Sequence, residues 1–179
     1  IPSPVLPPPE SRLVTVDRTG RVEPLPAPAR SYIGPTRVSP DGRKLAVTIR
    51  SLTELGIWIY DLTRQTLTKL PPPGGELSAP LWTPDGKRLA FRSLQSGVRT
   101  LVWQRAEGGV PPELLVEEWA SPGSWSPDGR ELAVVKDAGI WRLDVTAEPP
   151  LLRPLVPAVQ PSGTAYTPGV SPDGRWLLF

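Results

Sequence analysis

Four aspartates stand in the same short sequence and are the first candidates for chemistry. Asp41, Asp85, Asp128 and Asp173 each lie between a proline and a glycine. Carboxylates could bind Ca²⁺, but Ca²⁺ takes about six to eight oxygen ligands from several residues. Each aspartate stands alone in its segment, and Asp suits a tight turn because its side chain bonds to nearby backbone. The pattern favours a turn-capping role over a metal site.

Other residues that commonly perform catalysis are scarce. The chain contains no histidine and no cysteine, which removes the usual general base, the thiolate nucleophile and the common zinc ligands. Glu117 and Glu118 are neighbours, and neighbouring residues of a strand point to opposite faces, so they are not expected to share a site. Nucleophile elbows, Walker loops and kinase signatures are missing. The sequence predicts no catalytic residue, no cofactor and no metal.

The four aspartates belong to a repeat. Residues 38–47 read VSPDGRKLAV, and the counterparts read WTPDGKRLAF at 82–91, WSPDGRELAV at 125–134 and VSPDGRWLLF at 170–179. The prolines are 44, 43 and 45 residues apart. A fixed period of this length is typical of repeat architectures.

Each repeat predicts four short strands. The Ser/Thr-Pro-Asp-Gly segment is a turn between two strands, and the apolar run after it suits a strand covered on both faces. Further strands are predicted at 57–60 and 66–70, with counterparts in the next two repeats. Four antiparallel strands per repeat of this length indicate an all-β fold, a β-propeller of four-stranded blades. A β-sandwich would not repeat one hairpin four times.

The repeats divide the chain into a linker and a propeller. Residues 1–10 hold five prolines and predict a polyproline II linker, and residues 11–179 predict the propeller. Full blades are expected at about 36–70, 80–116 and 123–156, and half-blades at 13–25 and 168–179. The halves could pair to close a four-bladed ring, or the chain could be a slice of a larger propeller. The unpaired strand edge at the last half-blade favours the slice.

These motifs resemble a known family. The repeated Ser-Pro-Asp-Gly-Arg, with Leu-Ala-Val/Phe after it and Ile-Trp-Ile-Tyr-Asp-Leu further on, is similar to the TolB-like β-propeller repeat, a WD40-like repeat. This resemblance implies six blades. Residues 13–20 and 23–26 also resemble the propeller that lies C-terminal to the kinase domain in many bacterial membrane-bound serine/threonine kinases. That resemblance implies a sensor or docking domain outside the cytoplasm.

The composition limits the kinds of partner that this chain is expected to bind. The net charge is +2 and the basic residues are scattered through all repeats, so a nucleic-acid site is not expected. No apolar run reaches about 18 residues, so this segment is not expected to insert into a membrane. Methionine is absent throughout, which suggests a piece of a longer protein. A protein or peptide partner is expected, and a small ligand is possible.

A partner site is expected where the repeats differ from one another. Propellers recruit partners through inter-blade connections and the innermost strand, and variation among repeated units is where a specific site would be added. The tryptophans at 58, 103 and 141 recur in each blade and predict packing instead. The candidate partner-binding residues are Arg37, Glu76, Trp119, Ser124 and Tyr166.

Three functions fit the sequence. The first is a non-catalytic binding module, the sensor or interaction domain of a bacterial serine/threonine kinase. The second is the gating propeller of a prolyl-oligopeptidase-like serine peptidase, whose hydrolase domain would lie elsewhere. The third is a periplasmic TolB-type partner of a cell-envelope complex. The sequence on either side of this segment in the parent gene would distinguish them.

Overall fold

The fold consists of short antiparallel strands joined by turns. The computed structural model describes residues 8–71, 75–157 and 167–179, and these contain strands and no helix. It follows that the described residues hold no helix capable of crossing a membrane. The strands are β1 (Val14–Val16), β2 (Val22–Pro24), β3 (Ser31–Val38), β4 (Lys44–Arg50), β5 (Leu55–Asp61), β6 (Thr66–Lys69), β7 (Glu76–Trp82), β8 (Arg88–Gln95), β9 (Val98–Arg105), β10 (Glu113–Val116), β11 (Ser121–Trp125), β12 (Glu131–Lys136), β13 (Gly139–Asp144), β14 (Leu151–Val156), β15 (Gly169–Val170) and β16 (Leu177–Leu178).

Three four-stranded sheets form the body of the protein. In each sheet the strands pair in chain order, as β3-β4-β5-β6, β7-β8-β9-β10 and β11-β12-β13-β14, and every pair is antiparallel. We call these sheets blades 1, 2 and 3. The first strands of successive blades contact one another, so β3, β7 and β11 line the inside. The all-β architecture of a partial β-propeller is confirmed.

The innermost strands begin earlier than the sequence predicts. They start at Ser31, Glu76 and Ser121 instead of about 36, 80 and 123. Each contains a bulge, a shift in strand register that falls between Ile33 and Arg37 in β3 and at the equivalent place in β7 and β11. The bulge breaks the period-2 pattern of side chains, so only the segment after it was recognisable from the sequence.

The apolar run after each turn is buried on both sides. In β8, Leu89, Ala90 and Phe91 are fully buried. Leu89 and Phe91 pack in the cluster between blades 1 and 2, together with Ile57 and Trp82 of those blades. Ala90 points the other way and packs in the cluster between blades 2 and 3. The core is therefore divided among the blade junctions, which explains why the run does not alternate between apolar and polar residues.

The turns and connections lie at two opposite ends of the blades. One end carries the Pro-Asp-Gly turns and the turns between the third and fourth strands, and we call it the turn face. The other end carries the turns between the second and third strands (51–54, 96–97 and 137–138) and the inter-blade connections, and we call it the loop face. This division follows from the antiparallel order of the strands.

Two hairpins flank the three blades. β1 pairs with β2 and β15 pairs with β16, each as a separate two-stranded sheet. Leu13 and Leu25 of the first hairpin pack on blade 1 through the cluster that contains Tyr60. Within the described residues the two hairpins do not pair with each other, so the alternative of a closed four-bladed ring is not adopted. Of the predicted linker, residues 1–7 lie outside the described residues.

Candidate functional site

The four aspartates cap their turns. Asp128 Oδ1 accepts hydrogen bonds from Ser126 Oγ at 2.6 Å and from the Arg130 backbone nitrogen at 3.1 Å. Gly129 donates its backbone N–H to the Ser126 carbonyl at 2.9 Å and has a φ of 71°. The same bonds recur at Asp41, Asp85 and Asp173. The carboxylates are occupied by the turn, as the sequence predicts.

These hydrogen bonds also lower the pKa of the carboxylates. Hydrogen bonds from Ser39 and from the Arg43 backbone lower the pKa of Asp41, and the equivalent bonds lower the pKa of Asp128 and Asp173. At Asp85 burial raises the pKa, but the bonds from Thr83 and Lys87 outweigh it and the net shift is downward. In the part of the chain that the structure describes, no three acidic side chains come together as metal ligands would.

The turn face holds a cleft of about 1010 Å³ beside the turn of blade 2. Its walls carry both signs of charge, since Lys87 and Arg105 lie with Glu107 and Asp85. Arg88 at its edge is already engaged: its guanidinium lies 4.3 Å from the Trp103 ring centre and 3.4 Å from Glu113. Asp85 and Asp128 are engaged by their turns. The remaining charged residues of the cleft form no ion pair among the described residues, and these are Lys44, Lys87, Arg105 and Glu107.

Two of the predicted partner-binding residues contact neighbouring blades. Arg37 and Ser124 occupy equivalent places after the bulges of β3 and β11. The Arg37 carbonyl accepts a hydrogen bond from Trp82 Nε1 at 3.0 Å, which joins blade 1 to blade 2. The Ser124 hydroxyl accepts one from the Val170 backbone at 3.0 Å, which joins blade 3 to β15. The Arg37 backbone and the Ser124 hydroxyl therefore connect neighbouring blades, whereas Nε of the Arg37 side chain is buried without a hydrogen-bond partner among the described residues.

The other predicted residues belong to the loop face. Glu76 is exposed at the start of β7, and Trp119 lies in the connection between blades 2 and 3 with 37% of its surface exposed. Tyr166 lies outside the described residues. The tryptophans at 103 and 141, predicted to pack, do so against the cluster between blades 2 and 3.

The loop face also contains two arginines that the sequence analysis missed. The Arg92 and Arg99 guanidiniums lie 4.5 and 5.2 Å from the centre of the Trp119 ring. Arg92 also donates from Nε to Ser78 Oγ at 3.3 Å and from Nη1 to Ser121 Oγ at 3.2 Å. Partial burial lowers the pKa of the Arg92 guanidinium. We call Arg92, Arg99 and Trp119 the arginine–tryptophan cluster.

A signal for Arg92 was present in the repeats. By position in the repeat, Arg92 corresponds to Thr48 of blade 1 and Val135 of blade 3, which are both buried. An arginine at a position that the other blades give to uncharged buried residues breaks the repeat. Aligning the second strands of the three repeats and looking for the positions at which they differ would have identified Arg92.

The acidic residue nearest to Trp119 along the chain forms an ion pair with a lysine outside the arginine–tryptophan cluster. Glu118, next to Trp119, forms an ion pair with Lys136 at 2.8 Å. Lys136 also bonds to Asp137 and lies 4.6 Å from the Trp141 ring centre. The hydrogen bonds that Lys136 donates to Asp137 and then to Glu118 raise the pKa of Lys136. Glu118 and Asp137 are thus matched with a lysine of blade 3, whereas Glu117 and Glu76 form no ion pair among the described residues.

Comparison with solved structures shows the same fold. TolB from Acinetobacter baumannii superimposes with a TM-score of 0.73 at 21% identity, over 89% of this chain and 40% of that one. A protein described as TolB from Agrobacterium tumefaciens gives 0.73 at 20% identity, over 92% and 58%. Prolyl oligopeptidase B from Galerina marginata gives 0.57 at 12% identity, over 80% and 23%. The chain therefore spans less than two thirds of each of these proteins.

Sequence comparison identifies the family. No curated protein matches this sequence significantly. The family model of the TolB beta propeller domain, however, matches residues 11–179, from before the first hairpin to the last residue. This range includes all four Pro-Asp-Gly turns and every described strand. The chain belongs to the TolB beta propeller domain family.

Proposed function

We propose that this chain is a non-catalytic module that binds a protein partner on its loop face. The observation that carries the proposal is Trp119, a large aromatic side chain left partly exposed between two guanidiniums in an inter-blade connection. Tryptophan and arginine are the residues that most often dominate the energy of protein interfaces. The residues of the repeat, in contrast, are occupied by turns and blade junctions.

The chemistry of the chain supports a binding role. A general base or nucleophile normally shows a pKa tuned toward its task by its surroundings. In this chain the lowered pKa values of Asp41 and Asp128 arise from turn hydrogen bonds, which keep these carboxylates ionised and engaged. Histidine and cysteine are absent from the sequence.

For the parent protein, we propose a bacterial serine/threonine kinase that carries this propeller outside the cytoplasm. The support is the resemblance of residues 13–20 and 23–26 to the kinase-linked subgroup. In that setting, partner binding on the loop face would be the signal that the parent protein senses. A kinase domain and a membrane span encoded upstream in the same gene are the expected outcome of sequencing it; their absence would contradict this parent.

Two alternatives have structural neighbours in their favour. Prolyl oligopeptidase B shares the fold, and in a peptidase of that kind the propeller would gate access to a hydrolase domain. The TolB structures share it more closely, and a TolB-type protein would be a periplasmic partner of a cell-envelope complex. A hydrolase domain in the same gene would favour the first, and a signal peptide with a separate N-terminal α/β domain the second.

Affinity capture with matched variants tests the binding role. The wild-type chain is immobilised beside the variants Trp119→Ala and Trp176→Ala, and retained proteins are quantified by mass spectrometry. Trp176 is the control because it is also an exposed tryptophan, at 66%, but lies in the last hairpin. We expect a partner retained by wild type and Trp176→Ala and lost with Trp119→Ala. A partner retained equally by all three, or none at all, would contradict the proposal.

A further inference from the structure

The arginine–tryptophan cluster places two cations on one aromatic ring. Both guanidiniums lie within about 6 Å of the Trp119 centroid, the range of a cation–π contact. Ser78 and Ser121 hold Arg92 in place from both sides, one hydroxyl on each neighbouring innermost strand. Arg92 is therefore positioned by the fold before any ligand arrives, which reduces the entropy lost on binding.

The two cations have no internal counter-ion. Across residues 8–71, 75–157 and 167–179, neither guanidinium forms an ion pair, and the segments between these ranges hold no acidic residue. Glu118 is held by Lys136. Glu76 lies in the same cross-strand row as Arg99, but Leu94 stands between them on β8.

An uncompensated cation in this position is costly. Removing a charge from water is unfavourable unless an opposite charge or a full set of hydrogen bonds compensates it. Arg92 is half-buried, and two neutral hydroxyls are its polar partners among the described residues. A carboxylate of a bound partner would supply the missing negative charge and hydrogen-bond acceptors, because a planar guanidinium pairs with a planar carboxylate through two parallel hydrogen bonds.

The surroundings distinguish an acidic peptide from a polyanion. The loop face also carries Glu76 and Glu117, which form no ion pair among the described residues, so these carboxylates would repel a chain of phosphates more strongly than a single carboxylate. A peptide can place one carboxylate on the arginines and an apolar neighbour on the exposed part of Trp119. Within the described residues, the cluster does not line the cleft on the turn face, and an open surface suits an extended segment better than a small molecule.

We infer that Arg92, Arg99 and Trp119 form a binding site for a carboxylate carried by a short acidic segment of a protein partner. This inference rests on the proposed protein-binding function and gives the chemical class of the segment recognised. Arg99 supplies an exposed guanidinium that can close on the carboxylate, Arg92 supplies a fixed one, and Trp119 supplies the apolar contact next to it.

A pair of peptides tests the charge requirement. The probes are N-acetylated, C-amidated Gly-Leu-Glu-Leu-Gly and the same peptide with Gln in place of Glu, titrated into ¹⁵N-labelled protein. We expect the Glu peptide to shift the Trp119 indole and Arg92 Nε signals saturably, and the Gln peptide to leave them in place. Equal binding of both peptides, or no binding of the Glu peptide at millimolar concentration, would overturn the inference. So would inorganic phosphate binding as tightly as the Glu peptide.

Two matched variants locate the site. Arg99→Gln should weaken binding of the Glu peptide by roughly tenfold, the effect of losing a hydrogen bond to a charged group. Arg64→Gln removes another exposed arginine, from the β5–β6 turn on the opposite face, and should leave binding unchanged. Thermal melting of both variants checks the fold. An equal loss of affinity in the two variants would rule out this position.

The carboxylate site and the proposed protein-binding function can fail independently of each other. If the partner captured by the wild-type chain binds Arg99→Gln as tightly as wild type, this site assignment fails and the protein-binding role stands. If the capture experiment finds no partner while the Glu peptide binds and Arg99→Gln weakens it, the carboxylate site stands and the proposed role fails.

Discussion

The Trp82 indole donates a hydrogen bond from Nε1 to the Arg37 carbonyl across the junction of blades 1 and 2, over 3.0 Å. Trp125 holds the same place in the next repeat, yet its Nε1 is buried without a hydrogen-bond partner among the described residues. Trp125 instead stacks on Trp103, with ring centres 6.3 Å apart. Equivalent residues of the repeat therefore stabilise the two junctions in different ways.

This difference predicts unequal costs for the same substitution. Both side chains are buried, at 5% and 8% exposure, so Trp→Phe removes a similar volume at each. Trp82→Phe also leaves the Arg37 carbonyl without its partner, whereas Trp125→Phe removes an N–H that had none. We expect Trp82→Phe to lower the free energy of unfolding by about 1–3 kcal/mol more than Trp125→Phe. Equal urea denaturation curves for the two variants would contradict this assignment.

The turn glycines should tolerate substitution poorly for a backbone reason. Gly129 has a φ of 71°, and an added Cβ would lie 3.5 Å from the Pro84 ring, an ordinary contact. The cost of Gly129→Ala is therefore conformational, about 1–2 kcal/mol for an L-residue in this region. Gly169→Ala is the control, because its φ is not positive and nothing lies within 4 Å of the added carbon. Thermal melting should show a clear loss for the first variant and little change for the second.

The turn aspartates predict a loss of stability in acid. Because the folded pKa of Asp128 lies below its unfolded value, its contribution is fully present above the unfolded pKa. It is lost as the pH falls through the folded pKa, in a window below about pH 4. Asp128→Asn keeps an acceptor oxygen and removes this titration. Urea midpoints measured from neutral pH into acid should fall less steeply for the variant than for wild type, and parallel curves would be inconsistent with this origin.

Removing the negative charge of Glu76 on the loop face should have the opposite effect on peptide binding to removing the positive charge of Arg99. The Glu76 side chain lies in the same cross-strand row as Arg99 and forms no ion pair within the described residues. An acidic ligand at the arginines would be repelled by it. Glu76→Gln should therefore strengthen binding of the Glu peptide, by about two- to fivefold for an exposed charge. Weaker binding in the same titration would show that Glu76 itself contacts the ligand.

The sequence was most informative where local chemistry decides structure. Ser-Pro-Asp-Gly specifies its turn through the proline φ, the Asp side chain and the positive φ of glycine, so the four hairpins were predictable. The double-sided burial of Leu89–Phe91 was also readable, because a run of apolar residues in a strand implies cover on both faces.

The sequence was less informative where long-range packing decides structure. The start of β3 could not be predicted from the sequence, because β3 contains a bulge that no local residue pattern indicates. Trp119 was recognised as lying outside the repeat, but its two arginine neighbours come from β8 and β9 and reach it only through the fold. Arg37 and Ser124 were expected to bind a partner because they lie on innermost strands, and this stays a prediction. The contacts of the Arg37 backbone and the Ser124 hydroxyl with neighbouring blades could not be predicted, because they depend on the fold.

The repeat builds the fold, and we propose that the non-repeated loop face binds the partner. Site-specific photo-crosslinking in cells that produce the full-length protein shows which face lies against a partner. The crosslinking residue replaces Val98 or Glu117 on the loop face, and Arg64 or Glu107 on the turn face. All four positions are exposed; Val98 is the first residue of β9 and the others lie in turns or connections. We predict a discrete crosslinked partner from the loop-face positions alone. A partner crosslinked only from the turn-face positions, or no crosslinked partner from any of the four positions, would contradict a partner site on the loop face.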